Sequence, residues 1–298
     1  MKIPIIFLGT GQAIPTAKRN HTSILIKYKN ENLLFDCGEG TQRQFRKAQL
    51  NMCKITRIFI THWHGDHILG LPGLFQTLQL SKCSHKIYIY GPKKSAEFVN
   101  LMLKLFVNVG KLNIEVKEIN SGKVYENQDF LVEALPMKHN APCLAYSFIE
   151  KDKTRINIKK LEKLKIKGKI IGELAKGKDI ELQGKKIFAK DLTYQEKGKK
   201  IAIILDTAVN PNTYLIAKDS DLLICEATYS KKEKELAKEY KHLTAENAAE
   251  IAKKAKVKRL ILTHLSQRYE KAGFPIWEEA KKIFKNVGVA EDLDMIEI

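Results

Sequence analysis

Short apolar segments separated by turn residues run along the whole chain, and their spacing predicts both strands and helices. Runs of about four to eight β-branched or apolar residues bounded by Gly, Pro or Asn predict strands, whereas apolar residues three and four positions apart predict helices. The predicted strands are Ile3–Leu8, Ser23–Tyr28, Asn32–Asp36, Arg57–Ile60, Lys86–Tyr90, Ile114–Ile119, Phe130–Leu135, Leu144–Ile149, Lys200–Leu205, Leu222–Cys225 and Arg259–Thr263. The predicted helices are Glu39–Leu50, Leu69–Leu80, Ser95–Phe106, Thr244–Lys254 and Trp277–Phe284. Because strands and helices alternate in both halves, we expect an α/β sandwich with sheets inside and helices outside.

The segment from 150 to 200 differs from the rest of the chain in charge and in spacing. Residues 151–200 contain 17 lysines or arginines against 7 aspartates or glutamates, a net charge of +10. Apolar residues recur among these charges at Ile158, Leu161, Leu164, Ile166, Ile170, Ile171 and Leu174. We therefore expect one domain over residues 1–298 with a protruding, partly structured basic arm inserted at 150–200. A plain solvated loop is the alternative.

The overall charge favours a polyanionic partner. The 298 residues include 52 Lys or Arg and 34 Asp or Glu, a formal net charge of +18. Such an excess attracts nucleic acid or an anionic membrane, although a lysine-rich composition also gives a merely soluble surface. No apolar run approaches the roughly 18 to 20 residues that span a bilayer, and the start of the chain fits a first strand better than a signal peptide. We expect a cytoplasmic protein that does not bind membranes.

The five cysteines form no recognisable pattern. They are Cys37, Cys53, Cys83, Cys143 and Cys225, with no Cys-x-x-Cys pair among them. An odd, scattered set argues against a disulfide framework and against a cysteine zinc site. We expect all five to be reduced thiols that act as small apolar residues.

A cluster of three histidines and an aspartate is the strongest chemical signal in the chain. It consists of His62, His64, Asp66 and His67, directly after the predicted strand Arg57–Ile60. Residues two apart in an extended segment point the same way, so His62 and His64 can hold one ion. Asp66 and His67 can face a second ion beside it. Imidazole and carboxylate ligands without cysteine suit zinc in an open, catalytic site, although manganese or iron could also occupy one.

Two ions need more ligands than this cluster supplies, and three later residues can fill the vacancies. His139 follows the strand Phe130–Leu135, Asp206 follows an apolar run, and His264 follows another strand. A single histidine or aspartate after a strand is usually a capping or surface residue. Three such residues that follow the cluster along the chain instead favour a site for two metal ions, and the carboxylate of Asp206 could bridge these ions.

The order of these residues resembles that of the metallo-β-lactamase fold family over nearly the whole chain. The five motifs of that family correspond to Asp36, the 62–67 cluster, His139, Asp206 and His264. The resemblance implies an αββα sandwich that binds two zinc ions per subunit. One zinc ion would be held by His62, His64 and His139, and the other by Asp66, His67 and His264. Asp206 would bridge the two ions, and Asp36 would orient the loop that carries the ligands.

Further motifs resemble the ribonuclease Z family in particular. The longest is Leu34–Gln44, and the loop Pro15–Asn20 is similar to one that this family places near its RNA. Shorter matches are Glu226-Ala227-Thr228, His242-Leu243-Thr244 and His264–Tyr269. Two features depart from the family pattern. Cys225 stands where a histidine is expected, and the arm has no evident Gly-Pro pair.

This second resemblance implies a zinc-dependent endoribonuclease that removes the 3′ trailer from precursor tRNA by phosphodiester hydrolysis. The products would be a 3′-hydroxyl on the tRNA and a 5′-phosphate on the trailer. Asp66 would accept the proton of the attacking water, and His242, polarised by Glu226, would protonate the departing oxygen. Contacts to RNA would come from Arg268, Arg19, Asn20, Thr16 and the lysines of the arm. Members of the family are typically homodimers, so we expect a homodimer.

Two other functions are compatible with parts of this pattern, because one fold can serve many reactions. A phosphodiesterase of the same fold acting on small or cyclic nucleotides would keep the metal ligands but would have no use for a basic arm. A non-catalytic RNA-binding protein on a degenerate fold would be expected to lose ligands, and here every expected ligand is present.

Overall fold

The computed structural model describes residues 2–105, 112–164, 166–168, 170–182, 185–270 and 274–298. Its strands are β1 (Pro4–Gly9), β2 (Ser23–Tyr28), β3 (Glu31–Phe35), β4 (Ile55–Phe59), β5 (Ile87–Gly91), β6 (Ile114–Glu118), β7 (Gly122–Glu126), β8 (Phe130–Met137), β9 (Cys143–Glu150), β10 (Lys153–Ile156), β11 (Ile180–Leu182), β12 (Lys185–Ile187), β13 (Thr193–Glu196), β14 (Lys200–Ile204), β15 (Leu222–Glu226), β16 (Leu260–Thr263), β17 (Val287–Val289) and β18 (Met295–Glu297). Its α-helices are α1 (Thr41–Lys47), α2 (Gly65–Ile68), α3 (Leu71–Leu80), α4 (Ser95–Leu105), α5 (Ile158–Lys163), α6 (Ile170–Ala175), α7 (Ala189–Leu192), α8 (Pro211–Ala217), α9 (Lys234–Tyr240), α10 (Ala245–Lys254) and α11 (Phe274–Ile283). The predicted helix end at Phe106 lies outside the described residues. Within those ranges, a helix with the length and apolar character needed to cross a membrane is not found.

Two seven-stranded mixed sheets form the body of the molecule. The first has the order β18-β1-β2-β3-β4-β5-β6, and the second has the order β17-β16-β15-β14-β9-β8-β7. Strands β3 to β6 run parallel in the first sheet, and β14 to β17 run parallel in the second. Within each sheet the carboxyl ends of these strands therefore lie along one edge, where the following loops can meet.

The molecule has four layers, two inner sheets and a layer of helices outside each sheet. Alternate side chains of a strand pack into the apolar layers on the two faces of its sheet. In β1, Ile5 and Phe7 pack between the two sheets, whereas Ile6 and Leu8 pack beneath α1, α3 and α4. Successive residues of a strand point to opposite faces, so both faces of the sheet are buried. In the second sheet, Ile204 packs in a third layer, beneath α8, α10 and α11. The predicted α/β sandwich, with helices outside two inner sheets, is confirmed.

The basic segment folds as an insertion between β9 and β14. Strands β10 and β13 pair antiparallel, with Ile156 opposite Thr193, and they carry α5 to α7 and the β11–β12 hairpin. At the base of the insertion, Gly198 passes so close to β9 that a Cβ atom would lie 1.9 Å from the Glu150 carbonyl oxygen. Glycine is therefore required at this crossing. A small apolar core of its own consists of Leu161, Ile166, Leu174, Ala189 and Leu192.

Cys53 and Cys83 form a disulfide, so the expectation of five reduced thiols is wrong for this pair. Cys53 lies in a short 3-10 helix before β4, and Cys83 follows α3, which packs against that helix. Their α-carbons lie 5.5 Å apart although 30 positions separate them along the chain. Sequence spacing does not reveal such a tertiary contact. Cys37, Cys143 and Cys225 are free and buried, as expected.

Candidate metal centre and its neighbouring histidine

The seven expected metal ligands lie at or just beyond the carboxyl ends of strands and converge on one site. His62 and His64 follow β4, Asp66 and His67 lie in the short helix α2, and the remaining three follow β8, β14 and β16. The ligand atoms form two groups, and within each group they all lie within 4.8 Å of one another. The first group is His62, His64, His139 and Asp206, and the second is Asp66, His67, Asp206 and His264.

Ring nitrogens, rather than ring carbons, face one another in both groups. In the first, Nδ1 of His64 lies 3.0 Å from Nε2 of His62 and 3.2 Å from Nε2 of His139. In the second, the Nε2 atoms of His67 and His264 are 3.2 Å apart. Asp206 is common to both groups because its Oδ2 lies 3.6 Å from His62 Nε2 and its Oδ1 lies 3.1 Å from His264 Nε2. This carboxylate is positioned to bridge two ions.

Asp36 organises the first half of the site from the end of β3. Its carboxylate accepts hydrogen bonds from the backbone N–H and the hydroxyl of Thr61, each at 2.7 Å, and from Nδ1 of His67 at 2.6 Å. Since the Thr61 hydroxyl donates to Asp36, its oxygen is free to accept from Nδ1 of His62, 3.0 Å away. Both histidines then carry their proton on Nδ1, which leaves Nε2 available to a metal ion.

Two further histidines, His264 and His139, are oriented by acceptors in the second half of the chain. The Thr228 hydroxyl donates to Glu226 at 2.6 Å and accepts from Nδ1 of His264 at 3.0 Å. The carbonyl oxygen of Lys241 accepts from Nδ1 of His139 at 3.2 Å. In both cases Nε2 again points into the site. Sequence reasoning missed the two hydroxyls of Thr61 and Thr228, although Thr61 directly precedes the 62–67 cluster and Thr228 belongs to the Glu226-Ala227-Thr228 motif.

The charges of the site fit divalent cations. Oδ1 of Asp206 is buried and has no hydrogen-bond donor among the described residues. Burial opposes a charge on Asp206, but His264 and His67 outweigh it and hold the pKa of the carboxyl well below its usual range. Burial likewise opposes protonation of His67, but Asp206, Asp66 and Asp36 raise its pKa well above the usual value. A divalent cation would take the place of the proton on Nε2 of His67, and the resulting set of carboxylate oxygens and imidazole nitrogens suits zinc.

His242 lies beside the metal ligands and is held by Glu226. Its Nδ1 is 3.1 Å from Glu226 Oε2, and its Nε2 is 3.9 Å from Asp206 Oδ2, so Nε2 faces the ligand cluster. Glu226, the last residue of β15, is fully buried and also accepts from the backbone N–H of Thr207 at 2.7 Å. Burial lowers the pKa of His242, but Glu226 and Asp206 outweigh this effect and raise it to about 9. The ring is therefore a ready proton donor at neutral pH.

Three of the four residues expected to contact RNA are at least partly exposed. Arg268 is exposed, and its guanidinium lies 5.8 Å from the ring centre of Tyr229, which in turn stacks edge-on at 6.0 Å from His242. Thr16 accepts backbone hydrogen bonds from Lys18 and Arg19 within its own loop. Asn20 is half-buried and donates to the Glu39 carbonyl oxygen at 2.5 Å, which joins this loop to the segment before α1.

Arg19 lies elsewhere than we expected. It is 9% exposed, and its Nη1 donates to the Thr10 hydroxyl at 2.6 Å and to the Ala290 carbonyl oxygen at 2.7 Å. These partners direct the guanidinium into the protein. The expected contact between Arg19 and RNA is therefore replaced by a structural role, because the arginine ties the Pro15–Asn20 loop to the end of the chain.

The fold and the site define a metal-dependent hydrolase of the metallo-β-lactamase fold. The structure is similar to that of the metallo-β-lactamase fold protein YhfI from Bacillus subtilis, with a TM-score of 0.72 at 18% identity over 100% of this chain and 99% of that one. It is also similar to the short form of human tRNase Z, with a TM-score of 0.73 at 31% identity over 98% of both chains.

Sequence comparison gives a narrower relationship. The chain is 40% identical over 296 residues to ribonuclease Z of Methanothermobacter thermautotrophicus, covering 99% of this chain and 96% of that protein. It is 36% identical over 297 residues to ribonuclease Z of Methanosarcina mazei, covering 99% and 97%. A family model described as anti-Pycsar protein Apyc1 matches residues 3–157. The full-length matches show that this chain belongs to the ribonuclease Z family.

Proposed function

We infer that this protein is an endoribonuclease that removes the 3′ trailer from precursor tRNA by hydrolysing one phosphodiester bond. The observation that carries this inference is a pair of ligand groups sharing Asp206, with the His242–Glu226 pair directly beside them. This arrangement lies in a chain related over its full length to ribonuclease Z proteins. The products are a tRNA with a 3′-hydroxyl and a trailer with a 5′-phosphate.

Two zinc ions per subunit are the cofactors that the donor set supports best. One ion would be held by His62, His64 and His139, and the other ion would be held by Asp66, His67 and His264. Asp206 would contact both ions. Asp36 keeps His67 and the loop before α2 in place through its three hydrogen bonds. Two such ions would supply an activated water molecule and would neutralise charge that develops on the phosphate oxygens.

The protein's own groups move the protons of the reaction. Asp66, 8% exposed and 3.3 Å from His264 Nε2, accepts the proton of the attacking water. His242 donates a proton from Nε2 to the departing 3′ oxygen of the tRNA. Glu226 holds the ring through Nδ1, which fixes its orientation and favours its protonated form. A base for the attacking water and an acid for the departing oxygen are the two proton-transfer groups that hydrolysis of a phosphodiester uses.

Binding of the RNA is proposed to use the arm and the rim of the site. The arm at 150–200 acts as an exosite, because its net charge of +10 attracts phosphates without contributing to the chemistry. Near the metal centre, Arg268 offers an exposed guanidinium that suits bidentate contact with a phosphate. Thr16 and Asn20 lie on the Pro15–Asn20 loop, which Asn20 joins to the segment before α1.

We further propose that the protein is a cytoplasmic homodimer. Both statements rest on its resemblance to ribonuclease Z, whose members act on tRNA and typically pair. Sedimentation velocity at micromolar concentration tests the second statement, since a single species near the monomer mass would contradict it.

The rival function is hydrolysis of small or cyclic nucleotides at the same metal centre. Such substrates need the ligands but not the arm. The test is cleavage of a precursor tRNA with a 3′ trailer, with the ends mapped before and after metal stripping. A metal-dependent cut just past the discriminator nucleotide, leaving a 3′-hydroxyl, supports the proposal. Intact RNA together with hydrolysis of bis(p-nitrophenyl) phosphate would favour the rival.

A further inference from the structure

The arm is a separate apolar unit that joins the body at its base. As far as the described residues show, none of the three apolar layers of the body includes a residue of the arm's own core, which consists of Leu161, Ile166, Leu174, Ala189 and Leu192. The chain enters the arm at 150–155 and leaves it at 194–200, and we call these two segments the base. Since no apolar core shared by these residues fixes the arm against the body, its orientation depends on contacts made at the base.

The base lies at the edge of the second sheet that is opposite to the metal centre. β9 begins at Cys143, whose thiol donates to the Asp206 carbonyl oxygen at 3.3 Å, and it ends at Glu150. The eight residues of β9 rise by about 3.3 Å each, so its two ends lie roughly 23 Å apart. A change of angle at the base would displace the far end of the arm more than the base itself, and RNA bound to the arm would move with it.

Glu150 is a buried residue of the base that collects donors from three parts of the chain. It is 7% exposed. Its Oε1 accepts from the Tyr28 hydroxyl at 2.8 Å and from Nζ of Lys153, and its Oε2 accepts from the backbone N–H of Lys199 at 3.2 Å. Burial opposes a charge on Glu150, but Lys153 and Tyr28 outweigh it and hold the pKa of the carboxyl below its usual value. One carboxylate therefore joins the first sheet, the strand that enters the arm and the segment that leaves it.

Tyr28 is a fixed anchor for this carboxylate. It lies in β2 of the first sheet, and its ring is buried in the apolar layer between the two sheets. The ring packs edge-on against Phe130 and Phe148, with ring centres 5.5 and 5.2 Å apart. Nζ of Lys153 also donates to the Tyr28 hydroxyl at 3.1 Å. The position of this hydroxyl is thus set by the core, and both Glu150 and the first strand of the arm are bonded to it.

Other ion pairs of the base lie in solvent. Arg155 pairs with Glu196 at 2.6 Å across β10 and β13, and their side chains are 42% and 45% exposed. Lys151 pairs with Glu126 at 2.6 Å and is also partly exposed. Exposed pairs contribute little to holding two segments together. The contacts of Glu150 differ because they are buried and include a residue of the core.

We propose that Glu150 is a positioning residue for RNA binding, which holds the arm at the angle at which its lysines meet the RNA. The proposal rests on the proposed endoribonuclease function and on the proposed use of the arm as an exosite. It assigns the orientation of that exosite to one carboxylate. An arm that is already oriented before binding loses less conformational freedom when the RNA binds, and this raises affinity without any new contact to the RNA.

Two variants weaken this clamp without altering the charges of the arm's lysines, Glu150→Gln and Tyr28→Phe. The first removes the charge that holds Lys153, and the second removes one hydroxyl while keeping the ring in the core. Fluorescence anisotropy gives the Kd for a precursor tRNA, and cleavage gives KM and kcat. We expect Kd and KM to rise about 3- to 10-fold in each variant, since Kd rises as the fraction of correctly oriented arms falls. The double variant should lose little more than either single variant, because both changes remove the same contact.

The matched control is Glu196→Gln, the same substitution at an exposed residue of the base. Both glutamine variants remove one negative charge, which by itself favours binding of a polyanion. Weaker binding in Glu150→Gln would therefore be opposite in sign to the effect of charge, whereas Glu196→Gln should bind RNA as well as the wild type or slightly better. The value of kcat at saturating RNA and the hydrolysis of bis(p-nitrophenyl) phosphate should change little in every variant, because neither depends on the angle of the arm.

Three results would overturn the role of Glu150. They are wild-type Kd and KM in both clamp variants, an equal loss of affinity in Glu196→Gln, or a parallel loss of activity on the small diester, which would show that Glu150 only stabilises the body. Thermal unfolding of each variant checks that the fold is intact. Failure of the proposed function is distinguishable, because a wild-type chain that binds the RNA without cutting it still gives the comparison of Kd values.

Discussion

Replacement of His242 by alanine is expected to slow cleavage of precursor tRNA by about 100- to 10,000-fold. The structure gives the reason, since Nε2 of His242 faces the ligand cluster while Nδ1 is held by Glu226. Without this ring the 3′ oxygen must leave as an unprotonated alkoxide. At about 1.4 kcal/mol per tenfold change in rate, the loss corresponds to roughly 3 to 5 kcal/mol of transition-state stabilisation.

The pH dependence of the same step follows from the pKa of His242. Burial lowers this pKa, whereas Glu226 and Asp206 raise it to about 9. An acid is active while protonated, so kcat should be sustained below this pKa and fall as the pH rises through it. Glu226→Gln removes the principal negative charge, and the fall should then move to lower pH. Cations bound by Asp206 would weaken the contribution of this carboxylate to the raised pKa of His242. The pH at which kcat of the wild type has fallen to half should therefore lie at or below about 9.

The decisive assay compares two substrates that differ in their need for an acid. Single-turnover cleavage of precursor tRNA requires a proton on the departing oxygen, whereas bis(p-nitrophenyl) phosphate releases a stable phenolate. His242→Ala should therefore lose far more activity on the RNA than on the activated diester. Equal losses on both substrates would show that His242 supports the metal centre and does not act as the acid. An unchanged rate on RNA would show that His242 has no role in catalysis.

Three further predictions concern the base, the arm and the disulfide. Asp66→Ala should abolish cleavage while largely sparing tRNA binding, and normal turnover in this variant would contradict its role as base and ligand. Replacing residues 157–192 with a short turn, which the pairing of β10 with β13 permits, should weaken tRNA binding and flatten its salt dependence; an unaltered slope would mean that the arm does not bind RNA. Cys53→Ala/Cys83→Ala should lose about 3 to 4 kcal/mol of stability, since the disulfide closes a loop of 30 positions. Thermal unfolding with and without reductant measures this, and equal midpoints for wild type and variant would contradict it.

Local patterns made much of the fold and the candidate site predictable. The strands that carry the ligands are short apolar runs bounded by turn residues, and β4 runs directly into the cluster His62–His67. Since the carboxyl ends of parallel strands in one sheet share an edge, Asp206 and His264 could be expected to lie near each other, but their place beside the cluster in the other sheet was implied only by the resemblance to the metallo-β-lactamase family. The structure brings them together, with His264 Nε2 at 3.1 Å from Asp206 Oδ1.

Contacts between distant segments could not be predicted in this way. Arg19 reads as a surface arginine in a loop, but Ala290 accepts from it across 271 positions and removes it from solvent. The hydroxyls of Thr61 and Thr228 orient histidine rings only because tertiary packing places ring nitrogens and carboxylates beside them. The Cys53–Cys83 disulfide likewise depends on how α3 returns to the helix before β4.

The distribution of charge explains why binding and chemistry can be separated in this molecule. The centre contains four buried carboxylates, on Asp36, Asp66, Asp206 and Glu226, which by themselves would repel a polyanion. The two divalent cations that we propose would offset that charge, so the centre would accept a phosphate only with the cations bound. The attraction for RNA must then come from elsewhere, and we propose that the arm supplies it through its net charge of +10. Removing the arm should lower the affinity for RNA while leaving the ligands undisturbed, whereas removing Asp66 should stop the reaction on RNA that is still bound.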